Sequence, residues 1–142
     1  MTEIRFYVNL QDPVGYACRL LRKAHGLGAR VVVTGDAVTL ARLDEALWTF
    51  SAQDFLPHAR VGAVPPAILA RTPIVMAPAP GDAPHRDLLV NLGGETPEGF
   101  EAFARLFELV GTDDAALAQA RERWKFYKSR GYSVERHDTA AA

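Results

Sequence analysis

Arg30-Val31-Val32-Val33-Thr34-Gly35-Asp36 is the stretch that decides the fold. Four consecutive β-branched residues favour extended backbone, and their unbroken apolar character suits a strand covered on both faces rather than one facing water. Gly35-Asp36 turns the chain into a helix running to about Leu47, with Leu40, Leu43 and Leu47 on its inner side. Upstream, Ile4 to Val8 predicts an opening strand and Asn9 to Pro13 a turn. Asp12 is a good N-cap, and Pro13 suits the first helical position. Val14, Ala17, Cys18, Leu21 and Ala24 then recur at helical spacing until Gly26 and Gly28 close the helix. A β-α-β-α beginning predicts a parallel sheet with helices packed on it.

The middle of the chain is less periodic. Residues 51–80 hold six prolines, which predicts short strands, turns and loops, with Ile74-Val75-Met76 the best strand. Ala77 to Pro84 reads as a loop and Leu88 to Leu92 as a firm strand. Phe100, Phe103, Ala104, Phe107 and Val110 follow helical spacing, so a helix is expected over 97–110. Asp113 or Asp114 caps a last helix that continues to about Arg130, where Gly131 ends it. The 142 residues are expected to form one domain, with a frayed tail from about 133 to 142.

Composition narrows the function. The chain is 49% hydrophobic and 23% charged, with net charge -1 and pI near 6.4. Its surface as a whole is not built for nucleic acid, so any anion binding must be local. One cysteine, Cys18, cannot form an internal disulfide. Together with the absence of a leader pattern or a long apolar run, this predicts a cytoplasmic protein with no membrane partner.

A nucleotide-dependent enzyme on such a sheet needs a phosphate-binding loop. After the first strand the chain reads Asn9-Leu10-Gln11-Asp12-Pro13, without glycine and with a carboxylate where an anion would sit. Thr34-Gly35-Asp36 is no better. His25, His58, His85 and His137 lack metal-ligand spacing and read as surface or loop residues. Ser51 and Ser133 lack a nucleophile-elbow pattern. Asp44-Glu45 and Asp113-Asp114 are neighbours that a helix points about 100° apart. No cofactor, metal site or catalytic residue is expected.

Two places carry more. The first is the segment Arg121 to Tyr132, with five basic residues and four aromatics in twelve positions. Arg121, Trp124, Lys125 and Lys128 share one side of a helix at i, i+3, i+4, i+7 spacing. Cations around one indole suit an anionic partner that also carries an apolar group, and Glu122 is expected to point elsewhere. The plain alternative is an amphipathic helix whose inner stripe is Ala116, Ala120, Trp124 and Tyr127. The second place is Leu43-Asp44-Glu45-Ala46-Leu47-Trp48 with Phe55-Leu56-Pro57-His58 beyond it. Trp48 and Phe55 either close the core or form an exposed aromatic patch for a protein partner.

Together these residues resemble the chi subunit of bacterial DNA polymerase III, a clamp-loader accessory family. The matching features are Phe6-Tyr7, Arg42 to Trp48, Phe55-x-Pro57-His58, Arg86-Asp87 before the Leu88 strand, and Ala120 to Lys125 with Tyr127. The resemblance runs from about residue 3 to 132. It implies an α/β, Rossmann-like three-layer fold with a mostly parallel central sheet flanked by helices, used as a non-catalytic replisome adaptor. It further implies binding of the acidic C-terminal tail of single-stranded DNA-binding protein, which ends in a phenylalanine. The family's tail-binding arginine, aromatic and lysine fall on Arg121, Trp124 and Lys125, with Lys128 a lesser candidate. Trp124 stands where the family more commonly has tyrosine. The family's second surface, which docks the psi subunit of the clamp loader or a DinG-like helicase, falls on Trp48 and Phe55. DNA is then contacted only indirectly. The competing readings are a small nucleotide-binding enzyme and direct single-stranded DNA binding through the basic-aromatic helix.

Overall fold

The structure is a computed structural model that describes residues 1–50 and 55–141. Seven strands form one sheet in the order β3-β4-β2-β5-β6-β1-β7, with parallel pairing at every junction. The strands are β1 (Glu3–Leu10), β2 (Val31–Thr34), β3 (His58–Arg60), β4 (Ile74–Met76), β5 (Leu88–Asn91), β6 (Arg105–Gly111) and β7 (Val134–Asp138). The helices are α1 (Pro13–Gly26), α2 (Ala37–Thr49), α3 (Pro66–Arg71) and α4 (Asp114–Ser129). This is the Rossmann-like three-layer arrangement implied by the resemblance. The valine run behaves as its composition dictates: Val31, Val32 and Val33 are completely buried, with alternate residues feeding opposite layers. Burial of each such side chain stabilises by about 1.5–3 kcal/mol.

One layer holds α1 and α2 over Val31, Val33, Ile74, Val90 and Leu109. The other holds α3 and α4 over Ile4, Phe6, Val75, Leu89 and Leu106. Aspartates start three of the helices. Asp12 accepts from the Gly15 amide at 3.0 Å, Asp36 from Thr39 at 2.8 Å and Asp113 from Ala116 at 2.8 Å. Each satisfies an amide that the first helical turn leaves without a partner.

Three expectations are corrected. Residues 97–110 do not form a helix: Phe100–Ala102 is a single 3-10 turn and 105–111 is β6, between β5 and β1. Both faces of β6 are covered. Leu106, Glu108 and Val110 face α4, and Phe107 and Leu109 face the other layer, so apolar residues fall at every spacing and mimic a helix. The tail expected to fray from about 133 instead contributes β7, paired with β1 from Ile4↔Val134 to Val8↔Asp138. Within the middle region a short helix, α3, appears where only strands and turns were expected.

Of the histidines expected on the surface or in loops, His85 is a loop residue but not a surface one, and His58, which begins β3, is neither. His85 is buried, and its Nε2 lies 2.6 Å from the Thr72 carbonyl oxygen. The His58 ring is fully covered, with Nδ1 2.6 Å from the Leu56 carbonyl and Nε2 3.3 Å from Asp44. Ser51 to Asp54, which include one of the serines weighed above, lie outside the described residues.

Candidate functional site

The α4 helix is anchored by what it buries. Its inner side carries Ala120, Arg123 and Tyr127. Glu108 of β6 is wholly enclosed beneath it and receives three groups. The Tyr127 hydroxyl donates to Oε2 at 2.6 Å, the Asn91 amide donates to Oε1 at 2.8 Å, and Arg123 Nε lies 3.2 Å from Oε2. Arg123 also donates through Nη1 to the Gly94 carbonyl at 2.7 Å. Burial pushes the Glu108 carboxyl above its ordinary range, against the opposing pull of Arg123, Tyr127 and Asn91. Burial and the adjacent Glu108 likewise hold the Tyr127 phenol well above its ordinary value. A buried charge with this many donors fixes both the rotation and the height of α4.

That rotation presents Arg121, Trp124 and Lys125 to a cleft of about 270 Å³. Phe6 and Val8 of β1 form its apolar floor with Val110, and Arg136 of β7 stands on its rim beside Asn9. Trp124 is half-buried and packs edge-on against Phe6, with ring centroids 5.3 Å apart. It therefore both closes the core and walls the cleft. Lys128 lies outside the cleft, its ammonium 5.6 Å from the indole centroid. Glu122 does not point away as expected: it lies 3.6 Å from Lys125 Nζ, both side chains being largely solvent-exposed. Such a pair is worth little and is easily exchanged for another carboxylate.

The sequence missed Arg136 and Asn9, both placed in the cleft by β7 and β1. Asn9 sits at a register irregularity with φ of 62°, a left-handed conformation that asparagine tolerates. Its amide donates to Asp138 at 2.8 Å, and Asp138 pairs at 3.4 Å with Arg136. The one signal for Arg136 is its place two residues from the apolar Val134, on the same face of a strand in Val134-Glu135-Arg136-His137. The cleft lies toward the carboxyl ends of β1 and β6, where open α/β sheets commonly receive ligands.

Trp48 and Phe55 are both exposed, at 59% and 62%, and touch each other with centroids 5.5 Å apart. The covered His58 ring supports Trp48 edge-on at 4.8 Å. Asp44 ties the base of this patch to His58 and, at 3.8 Å, to Arg60. They do not close the core; Leu43, Leu47 and Leu56 do that. Among the described residues there is no cluster of three or more side chains suited to a metal ion, and no helix long and apolar enough to cross a membrane.

Comparison with known proteins agrees with this architecture. A chain in a solved complex of S. cerevisiae Dbp5 with Nup159, Gle1, IP6 and ADP superposes with a TM-score of 0.65. The match covers 98% of this chain and 42% of that one, at 10% identity, and so speaks for the fold alone. DNA polymerase III subunit chi of Pseudomonas aeruginosa is 36% identical over 144 residues, 96% of each chain. The Escherichia coli subunit chi is 30% identical over 119 residues, 82% of this chain and 79% of that one. A family model described as "DNA polymerase III chi subunit, HolC" matches residues 1–135. The chain thus belongs to the DNA polymerase III chi subunit family, a component of the replication machinery.

Proposed function

We propose that the protein is a non-catalytic adaptor whose α4 cleft binds the acidic C-terminal tail of single-stranded DNA-binding protein. The observation that carries this reading is the pairing of an apolar floor with a cationic rim. Phe6, Val8 and Val110 provide the floor and the Trp124 indole a wall, and Arg121, Lys125 and Arg136 surround them. A peptide that ends in phenylalanine and carries acidic residues before it supplies both complements: the ring fills the floor while carboxylates meet the rim. Two or three exposed ion pairs with one aromatic anchor correspond to a micromolar complex, about -7 to -8 kcal/mol.

The exposed Trp48–Phe55 pair supports a second docking surface, for the psi subunit or an equivalent partner such as a DinG-like helicase. Large exposed aromatics are typical anchors of protein interfaces. The two sites would link the DNA-binding protein to the clamp loader, and DNA would be engaged only indirectly through this route.

Fluorescence anisotropy of a labelled tail peptide, beside a control lacking its final phenylalanine, tests the reading. Saturable binding that weakens with salt and vanishes in the control supports it. Absence of binding by the folded protein would refute the cleft assignment.

A further inference from the structure

On the opposite face of the sheet from α4 lies a larger cleft, of about 590 Å³, that the tail-binding reading does not use. Helix α1 covers only part of that face. Beyond its edge the sheet presents Arg5 and Tyr7 of β1, Arg105 and Phe107 of β6, and His137 of β7. Across from them α1 contributes Tyr16, Arg19 and Lys23, one helical side at i, i+3, i+7. Among the described residues, no carboxylate lines this cleft. In a chain of net charge -1 that is a concentrated local field of one sign.

The rings form a cluster around the buried Tyr7. Tyr7 contacts Tyr16 at 5.6 Å, Phe107 at 5.2 Å and His137 at 5.4 Å, centroid to centroid. Guanidinium groups lie over the outer rings, Arg19 at 5.6 Å from Tyr16 and Arg105 at 6.0 Å from Phe107. Arg5 is partly engaged, pairing with Glu135 at 3.3 Å and donating to the Tyr7 hydroxyl at 3.2 Å. Arg19, Lys23 and Arg105 make no ion pair among the described residues, so their charge is available to a ligand.

We propose that this cleft is a second site, one that takes a short stretch of single-stranded nucleic acid. Bases would stack on the part-exposed Tyr16, Phe107 and His137 rings while phosphates meet Arg19, Lys23 and Arg105. Several part-exposed rings with cations beside them match a polymer that repeats a flat base and an anion. An acidic peptide with one terminal ring needs a single apolar patch with a charged rim, which is what the α4 cleft offers. The inference departs from the expectation that DNA is touched only indirectly, and it stands whether or not α4 binds a tail.

The test is anisotropy of labelled oligothymidylate and oligoadenylate of about eight nucleotides, titrated with the full chain at low and moderate salt. Saturable binding is expected, with log K falling against log salt at a slope of about -2 for three phosphate contacts. Arg19→Glu/Lys23→Glu, both on the exposed side of α1, should abolish it, with the circular dichroism spectrum and thermal midpoint unchanged. Tyr16→Ala should weaken it roughly tenfold. Lys125→Glu separates the two sites, since it should cost tail binding and leave oligonucleotide binding intact. No oligonucleotide binding at low salt by folded protein would overturn the proposal. So would binding that survives Arg19→Glu/Lys23→Glu but is lost in Lys125→Glu, or a cleft that captures only an acidic peptide.

Discussion

Arg123 reaches back from the inner side of α4 to Glu108 of β6, its Nε 3.2 Å from a carboxylate with no solvent exposure. Arg121, Trp124 and Lys125 therefore occupy positions set by a residue that never touches the cleft itself. The one arginine in the basic helix that is buried is the one that holds the others in place. Removing either charge alone strands the other in a medium that solvates it poorly.

Arg123→Ala should accordingly destabilise the protein by about 3–5 kcal/mol, since Glu108 is left buried without its cation. Glu108→Gln keeps the Tyr127 and Asn91 contacts in altered form and should cost less. The double variant Arg123→Met/Glu108→Leu should recover much of the loss. Urea unfolding of the parent, Arg123→Met, Glu108→Leu and the double variant forms the cycle, and strictly additive losses would deny the coupling.

The raised Tyr127 phenol makes a signed prediction about alkaline pH. Its folded pKa lies above the unfolded value of about 10. Its contribution is fully present below that unfolded value and is lost as pH rises above it, because the unfolded chain releases a proton that the folded chain keeps. Urea midpoints measured from pH 8 to 11 should fall more steeply in the parent than in Tyr127→Phe. Parallel curves would show that Tyr127 does not supply the slope.

Within the α4 cleft, charge reversal at Arg121 or Lys125 should weaken tail binding more than Lys128→Ala, because Lys128 lies over the indole and not in the cleft. Arg136→Glu should resemble the first two. Trp124→Ala should reduce affinity about tenfold or more, combining loss of the wall with loss of its Phe6 contact. In a Trp48→Phe background the remaining indole reports directly on occupancy. Equal losses at Arg121, Lys125 and Lys128 would mean that long-range charge governs binding, and not the cleft.

At the other surface the expectation is stability without consequence and partner binding with one. Trp48→Ala and Phe55→Ala should each shift stability by about 0.5 kcal/mol or less, as exposed positions do. Leu47→Ala, one residue away and 2% exposed, should cost about 2–5 kcal/mol. If Trp48→Ala proved as damaging as Leu47→Ala in thermal unfolding, the patch would be part of the core.

Local rules made the first half of the chain legible. Asp12 caps the helix its position predicted, and the valine run forms an interior strand of the sheet. They failed where tertiary pairing overrides local periodicity. Phe100, Phe103 and Phe107 keep helical spacing, but β5 and β1 both pair with the segment from Arg105 and draw it into the sheet. Glu108 gave no sequence signal at all, since a buried carboxylate looks like any exposed one until Arg123 and Tyr127 are folded over it. At the cleft, the helix half was readable from its spacing. The strand half was not, because Phe6, Asn9 and Arg136 meet only when β1 and β7 are placed side by side.

The chain beyond Gly131 gives the sharpest test of that last point. A frayed tail could be deleted freely, yet the structure ties this one down repeatedly. Val134 is buried at 8% exposure, five residue pairs join β7 to β1, and Thr139 Oγ1 donates to the Val8 carbonyl at 2.9 Å. Deleting residues 134–142 should therefore remove the burial of Val134, about 1.5–3 kcal/mol, and leave β1 as an unpaired edge. It should also take Arg136 from the rim of the cleft and lower tail affinity severalfold. Arg136→Ala should reproduce the affinity loss while keeping the parent's urea midpoint, which separates the rim charge from the strand that carries it. A truncated protein with unchanged midpoint and unchanged affinity would return the segment to a tail and remove β7 from both the fold and the site.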